Sequence, residues 1–374
     1  MMEALSPANI GLLLFGIFFV LLLIGSPIMV ALGVATMACF IVLDIDLSLM
    51  IERAFASLTA FPLMALPAFV LAGSLMEAAG VSRRLVHVAE NIVGPTPGGL
   101  AISTTLSCVF FGAISGSGPA TTAAVGMLMI PAMAKRGYNV GYAAAATATA
   151  GGIGIIIPPS IPFIMYGMAS GASVSDLFLA GIVPGLMIGL LLMLYAIYHC
   201  KKHGEDQARI QAEVQILHDK GLFRVLKESF FALLSPVIIL GCIYSGVASP
   251  TEAAVISVFY ALIISLFVYR SIHRMDIWGI FVEAIRTYTP ILFILAASTA
   301  FSRVLTLMQV PQTVSTFILE HFHSPVSILL VLNCFLLIVG MVMDTTPAIL
   351  ILTPILLPII EAIGMDPIQF GVNF

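Results

Sequence analysis

The chain has 374 residues, 15 of them basic and 19 acidic, and 60% are apolar. Charged residues make up 9%, against roughly 25% in an average soluble protein, too few to coat a chain of this length in water. A soluble enzyme is excluded, and a net charge of −4 with no basic face excludes a nucleic-acid binder. What remains is an all-α polytopic membrane protein.

Apolar runs at 9–25 and 28–43 come first. Only Glu3 is charged before them, so the first is read as a retained span rather than a cleaved signal. A more polar stretch at 47–60 precedes a span at 62–78, and another at 80–93 precedes two apolar segments, 99–113 and 119–134. These flank Ser115-Gly116-Ser117-Gly118 and read as a re-entrant hairpin (99–134) with its tip near mid-membrane. The stretch 139–170 is interrupted by Gly151-Gly152-Ile153-Gly154 and Pro158-Pro159-Ser160, which a continuous helix does not tolerate without lost backbone bonds. A broken helix is expected there, its carbonyls facing protein or a water-filled site.

A span at 175–199 leads to 200–227, which holds six of the fifteen basic residues: Lys201, Lys202, Arg209, Lys220, Arg224 and Lys227. The positive-inside rule makes this segment cytoplasmic. Spans at 230–246, 252–270, 290–306 and 325–342 follow, with more polar helices at 276–289 and 311–323. All four polar helices are expected to lie along the membrane surface. Counting outward from the linker puts Arg83, Arg84, Lys135, Arg136, Arg270 and Arg274 inside, and the count closes only with a re-entrant hairpin. Five scattered cysteines without a CxxC pair read as small buried hydrophobes, and the histidine spacing points to no metal site.

Laying 25–142 over 235–370 aligns Ser26-Pro27 with Ser235-Pro236 and Gly73-Ser74 with Ala297-Ser298. Pro131 with Gly137 falls on Pro358 with Gly364, and at that offset Ser117 falls on Asp344. A second hairpin therefore turns at Met343-Asp344-Thr345-Thr346. The span count enters it from the opposite side, giving an inverted-topology repeat of the kind many secondary transporters use.

In the tip from Ser115 to Thr122, glycines let backbone approach a ligand, hydroxyls supply oxygen, and the following helix aims its amides at whatever binds. Such a tip can hold a carboxylate. The carbonyls from Gly152 to Pro158 offer hard oxygens of the type that coordinates Na⁺, and the alternative is that these small residues only allow close helix packing. Asp344 and Arg303 are costly inside a membrane. Asp344 either helps bind Na⁺ or caps its own hairpin; Arg303, preceded by Ser298 and Ser302, pairs with a substrate carboxylate or with Asp344, or snorkels to the interface. Glu252 after Ser249-Pro250-Thr251 is read as a helix cap. No GxxxxGK[ST] motif occurs, so transport would run on an ion gradient. Serines, His87 and Asp344 fall into no catalytic arrangement, so no enzyme is expected.

Four segments resemble the large membrane subunit of TRAP transporters, the DctM family, including the M component of sialic acid permeases. They are Phe110-Phe-Gly-Ala-Ile-Ser-Gly-Ser-Gly-Pro-Ala-Thr-Thr-Ala-Ala124, Ala150-Gly-Gly-Ile-Gly-Ile-Ile-Ile-Pro-Pro-Ser160, Ser245-Gly-Val-Ala-Ser-Pro-Thr-Glu-Ala-Ala254 and Gly340-Met-Val-Met-Asp-Thr-Thr-Pro347. The resemblance runs through nearly the whole chain. It implies a sodium-driven, elevator-type importer in the bacterial inner membrane, with a scaffold beside a small four-helix subunit of DctQ type. A periplasmic binding protein of DctP type delivers an organic acid. The substrate class is left open among C4-dicarboxylates, sialic acids, keto acids and sugar acids, and no organic cofactor is implied.

Carried over by position, the first sodium site maps to Ser117, Gly118, Thr121, Gly152, Gly154 and Pro158, and part of a second to Asp344, Thr345 and Thr346. Ser298, Arg303, Ser115 and Gly116 are the substrate-side candidates. The expected domains are scaffold helices and arm (1–61), transport part (62–199), cytoplasmic linker (200–227), second scaffold and arm (228–289) and second transport part (290–374). In the family pattern a second broken helix with its own Pro-Pro loop and a last span, roughly 50 residues, follows Phe370-Gly371. The chain is accordingly read as C-terminally truncated, and the alternative function is a non-transporting remnant or membrane scaffold.

Overall fold

The computed structural model describes residues 7–93, 96–203, 222–272 and 276–374. Every regular element among them is helical. In chain order these are α1 (Pro7–Leu23), α2 (Ile28–Val42), α3 (Leu47–Leu58), α4 (Ala65–Ala78), α5 (Val81–Val93), α6 (Gly99–Ser115), α7 (Gly118–Lys135), α8 (Val140–Gly151) and α9 (Ile161–Ser170). After them come α10 (Val174–His203), α11 (Leu222–Tyr244), α12 (Pro250–Ile263), α13 (Asp276–Leu307), α14 (Val310–His321), α15 (Pro325–Gly340), α16 (Thr345–Ala362) and α17 (Pro367–Asn373). Among the described residues, six helical segments are long and apolar enough to cross a membrane: Phe61–Ala78, Val174–Lys202, Phe223–Tyr244, Pro250–Val268, Asp276–Leu307 and Thr345–Ala362. At 15 to 17 residues, α1, α2 and α15 are shorter than the roughly 20 that a perpendicular crossing needs.

The chain forms two compact units, each drawing on both repeats: one of residues 1–63, 164–173 and 286–374, the other of 64–163 and 174–285. In the second unit, α6 buries every residue except Leu106 and Phe110. Its composition follows from that burial. Surrounded by protein, it carries small and hydroxyl residues that let neighbours approach closely, and Thr104 and Thr105 donate back to the carbonyls of Leu100 and Ala101. The amphipathic α5 turns Leu85, Val86, Val88 and Ala89 inward. Arg84 of α5 donates to the carbonyls of Ala79 and Gly80 and lies over the Tyr269 ring at 3.7 Å, while the Tyr269 hydroxyl accepts the Ala232 amide. Ser265 and Ser271 donate to the carbonyls of Leu75 and Ala79, fixing the end of the α12 span against α4. As read from sequence, Ser249 and Glu252 form a reciprocal capping box at the start of α12.

In the first unit, Phe15 and Phe18 of α1 pack on Phe301 of α13 with centroids 5.7 and 5.8 Å apart. The fully buried Tyr166 donates its hydroxyl to the Pro367 carbonyl at 2.7 Å and meets the Phe370 ring. Asp46 caps α3 by accepting the Ser48 amide, and α3 buries none of its residues.

Three expectations need correction, and a fourth lies largely outside the described residues. The polar stretch 276–289 is no separate surface helix but continues through Pro290 into the 290–306 span as one 32-residue helix. Proline removes one backbone bond there without ending the helix, a lesion that transmembrane helices tolerate. Ser26-Pro27 begins a helix, with Pro27 as N-cap of α2, whereas Ser235-Pro236 lies inside α11. The punctuation therefore matches at this pair in letters and not in structure. Of the linker 200–227, the two ends are helical, through His203 and from Leu222; residues 204–221, with Arg209 and Lys220, and also Arg274, lie outside the described residues. Finally, Cys39, Cys108 and Cys200 are buried as expected but Cys334 is exposed, on a helix whose outward face is apolar, where a thiol behaves as one more small hydrophobe.

Candidate functional site

The hairpin and the broken helix cross at their breaks. α6 ends at Ser115, and Gly116, at φ +63°, reverses the chain while its amide closes on the Gly112 carbonyl at 2.9 Å. Left-handed backbone of this kind is a glycine position. Ser117 then caps α7, accepting the Ala120 amide through its side chain, with Pro119 in the first turn, where a missing N–H costs nothing. On the other side, α8 runs from its Asn139 cap to Gly151, tightens into a 3₁₀ turn over Gly152–Ile155, and restarts as α9 after Pro158-Pro159-Ser160. The Ser160 hydroxyl bridges the gap: it donates to the Ile155 carbonyl and accepts the Phe163 amide. Sequence reading located both breaks, and the structure joins them directly, the Ile161 amide donating to the Gly116 carbonyl at 3.1 Å.

Glycine makes the crossing close. A Cβ at Gly112 would fall 2.7 Å from the Gly154 Cα, one at Gly116 would fall 2.6 Å from the Pro159 carbonyl oxygen, and one at Gly151 would overlap the Thr122 hydroxyl. Gly154 packs on the Thr121 hydroxyl and on the Ser117 carbonyl in the same way. The Ser115 and Thr121 hydroxyls are 2.8 Å apart, with Thr121 fully buried and Ser115 nearly so. Hydroxyl and carbonyl oxygens are thus gathered where four helix ends meet, the donor type that hard cations take. Ser115, Gly116, Ser117, Gly118, Thr121 and Gly154 all belong to this crossing, and Pro158 lies in the break beside it; Gly152 borders it with an open side, no neighbour lying within 4 Å of a Cβ built on it.

The remaining predicted residues fall in the other unit. Asp344 is exposed and caps α16, accepting the Thr345 amide at 2.9 Å. Thr346 is buried just behind it. Ser298, also buried, donates to the Leu295 carbonyl and lines a cavity of about 270 Å³ together with Ser57, Thr299, Ser302 and Met168. The spacing of Leu295, Ser298, Thr299 and Ser302 puts Thr299 on the same helix face as Ser298, whereas Ser57 comes from α3 and is brought there only by the fold. Arg303 pairs with no carboxylate among the described residues, Asp344 included, and its Nε is buried without a hydrogen-bond partner.

Residues 15–374 match the family model described as tripartite ATP-independent periplasmic transporter, DctM component. The isethionate TRAP transporter permease protein DctMQ of Oleidesulfovibrio alaskensis is 43% identical over 96% of this chain, which spans 56% of that relative's length. The 2,3-diketo-L-gulonate TRAP transporter large permease protein YiaN of Escherichia coli is 38% identical over 94% of the chain and 81% of its own length. The C4-dicarboxylate TRAP transporter large permease protein DctM of Pseudomonas aeruginosa is 40% identical over 83% and 72%.

Proposed function

The chain belongs to the DctM family of tripartite ATP-independent periplasmic transporters, a multi-pass protein of the bacterial inner membrane, and on that premise we propose that it imports an organic acid down a sodium gradient. One observation carries this reading: the α6–α7 tip and the α8–α9 break cross in a contact lined by hydroxyl and carbonyl oxygens and closed by the bond from Ile161 to Gly116. Ser117, Thr121 and Gly154, with the backbone at Gly118, Gly152 and Pro158, would hold the sodium ion. Asp344, Thr345 and Thr346 would supply part of a second site. A cation held at the α6–α7 tip would supply positive charge beside the N-terminus of α7, where an anion is also favoured.

The substrate is a small carboxylate, of the C4-dicarboxylate, sialic acid or sugar-acid type. A carboxylate would accept from Arg303, whose buried Nε has no hydrogen-bond partner among the described residues, and from the hydroxyl face around Ser298; Ser115 and Gly116 are proposed as substrate contacts within their own hairpin. The working assembly adds a small membrane subunit of DctQ type and a binding protein of DctP type, and the mobile part moves by an elevator mechanism. The relatives carry names of permeases rather than enzymes, in keeping with transport without chemistry on the substrate.

The test is uptake of a radiolabelled carboxylate into proteoliposomes holding the complex of this chain with its small subunit, the binding protein being added outside. Replacing external sodium by choline should abolish accumulation. Accumulation that persists without sodium overturns the reading.

A further inference from the structure

A second cavity, of about 590 Å³, shares none of the residues of the hairpin tip or of the 151–161 break. One wall is the end of α4 and the first turn of α5, with Gly80, Ser82, Arg83, Arg84 and His87; another is apolar, from Met127 and Leu128 of α7. Arg83 and Arg84 both line it, and neither is neutralised by a carboxylate among the described residues. Arg84 is fixed in place, but only by the neutral carbonyls of Ala79 and Gly80 and by the Tyr269 ring, so its full charge remains. Arg83 is exposed and makes no hydrogen bond or ion pair among the described residues. Glu77 also lines the cavity without pairing to either arginine. The first amides of α5, which follow Gly80 at φ +71°, lack intrahelical acceptors and add to the positive end.

We propose that this cavity binds a phosphate group, held by Arg83 and Arg84 at the start of α5. Guanidinium forks match phosphate oxygens, and the helix N-terminus favours the anion. Phosphate of this kind comes either from an anionic lipid headgroup or from solution. The apolar wall of α7, where Met127 is 69% exposed, gives an acyl chain a place to lie, and basic pockets between membrane helices hold lipid headgroups elsewhere.

The experiment is native mass spectrometry of the full chain in detergent, titrated with dioleoyl phosphatidylglycerol, dioleoyl phosphatidylcholine or inorganic phosphate. Phosphatidylglycerol should bind about tenfold more tightly than phosphatidylcholine, and R83Q should erase that preference. R83E, at the same exposed position, should weaken binding further, while the melting temperature without lipid stays unchanged in both variants. If inorganic phosphate alone raises the melting temperature and needs Arg83 to do so, the site stands and its ligand is soluble phosphate. Equal binding of the two lipids, or a preference that survives both R83Q and R83E, overturns the proposal.

Discussion

Ser117 accepts the Ala120 amide and Asp344 accepts the Thr345 amide, so these two residues do the same work, each capping an 18-residue helix. The likeness continues downstream at one constant offset. Pro131 and Pro358 lie inside the two helices, Gly137 and Gly364 follow with φ of +89° and +74°, and Asn139 and Asp366 then cap the next helix in turn. Cap, interior proline, left-handed glycine and second cap are four separate backbone demands. Their recurrence in order is what duplication of one hairpin unit produces.

Asp344 caps α16, and one pair of substitutions separates that cap from its proposed sodium role. Asn caps a helix about as well as Asp, whereas Ala lacks the acceptor and costs about 1 kcal/mol. D344A should therefore lower the melting temperature and D344N should not. Both should lose sodium-dependent uptake if the charge serves the ion, and D344N with unchanged sodium dependence would leave Asp344 as a cap alone.

The helix crossing predicts which glycines can be replaced. G112A and G116A each press a methyl group onto backbone, at 2.7 and 2.6 Å, and the second also sits at positive φ; each should cost about 2 kcal/mol or more. Gly241, in the last turn of α11 with nothing within 4 Å of an added Cβ, should accept Ala with a gain of up to about 0.5 kcal/mol. Thermal unfolding of the three variants in one detergent is the measurement. A G112A protein as stable as the parent would mean that α6 and the α8 break do not touch.

What could be read in advance follows the kind of force involved. Gly-Gly and Pro-Pro breaks impose local backbone consequences whatever packs around them, so the turns at Ser115–Gly118 and Gly151–Ser160 were legible from letters alone. Pro290 carries the same letter with another outcome, because neighbours decide whether one lost bond ends a helix. The cavity beside Ser298 needed Ser57 and Met168 from distant segments, and only folding brings those together. Arg84 read as a topology marker, yet its ring partner Tyr269 and its acceptors Ala79 and Gly80 make it a half-buried strut as well.

Glu90 is a further case that composition hides. Its carboxylate lies 3.5 Å from Arg136 at the end of α7 and 3.6 Å from His87, with Glu90 and Arg136 side chains only 7% and 10% exposed. Removing one carboxylate from a largely desolvated ion pair is expensive, so E90A should destabilise by about 3 kcal/mol. Replacing both partners, E90Q with R136Q, should cost less than the sum of the two single changes by at least about 1 kcal/mol. Additive losses in denaturant titrations would show that the pair contributes nothing as a pair.

The last prediction concerns Arg303, whose buried Nε lacks a partner. Leaving such a donor unsatisfied costs about 1–3 kcal/mol, and a ligand that accepts from it recovers that energy on binding. R303Q should therefore raise the KM for carboxylate uptake about tenfold, or more, with the complex still assembled, as judged by size-exclusion chromatography. R303K keeps the charge but not the planar fork and should fall between the two. S298A removes a cavity-lining hydroxyl that already donates to Leu295, so only its acceptor lone pairs are lost to a ligand and KM should rise by about threefold. An R303Q complex with unaltered KM would place the carboxylate elsewhere, and the orphan Nε would then be a structural cost that the fold carries without return.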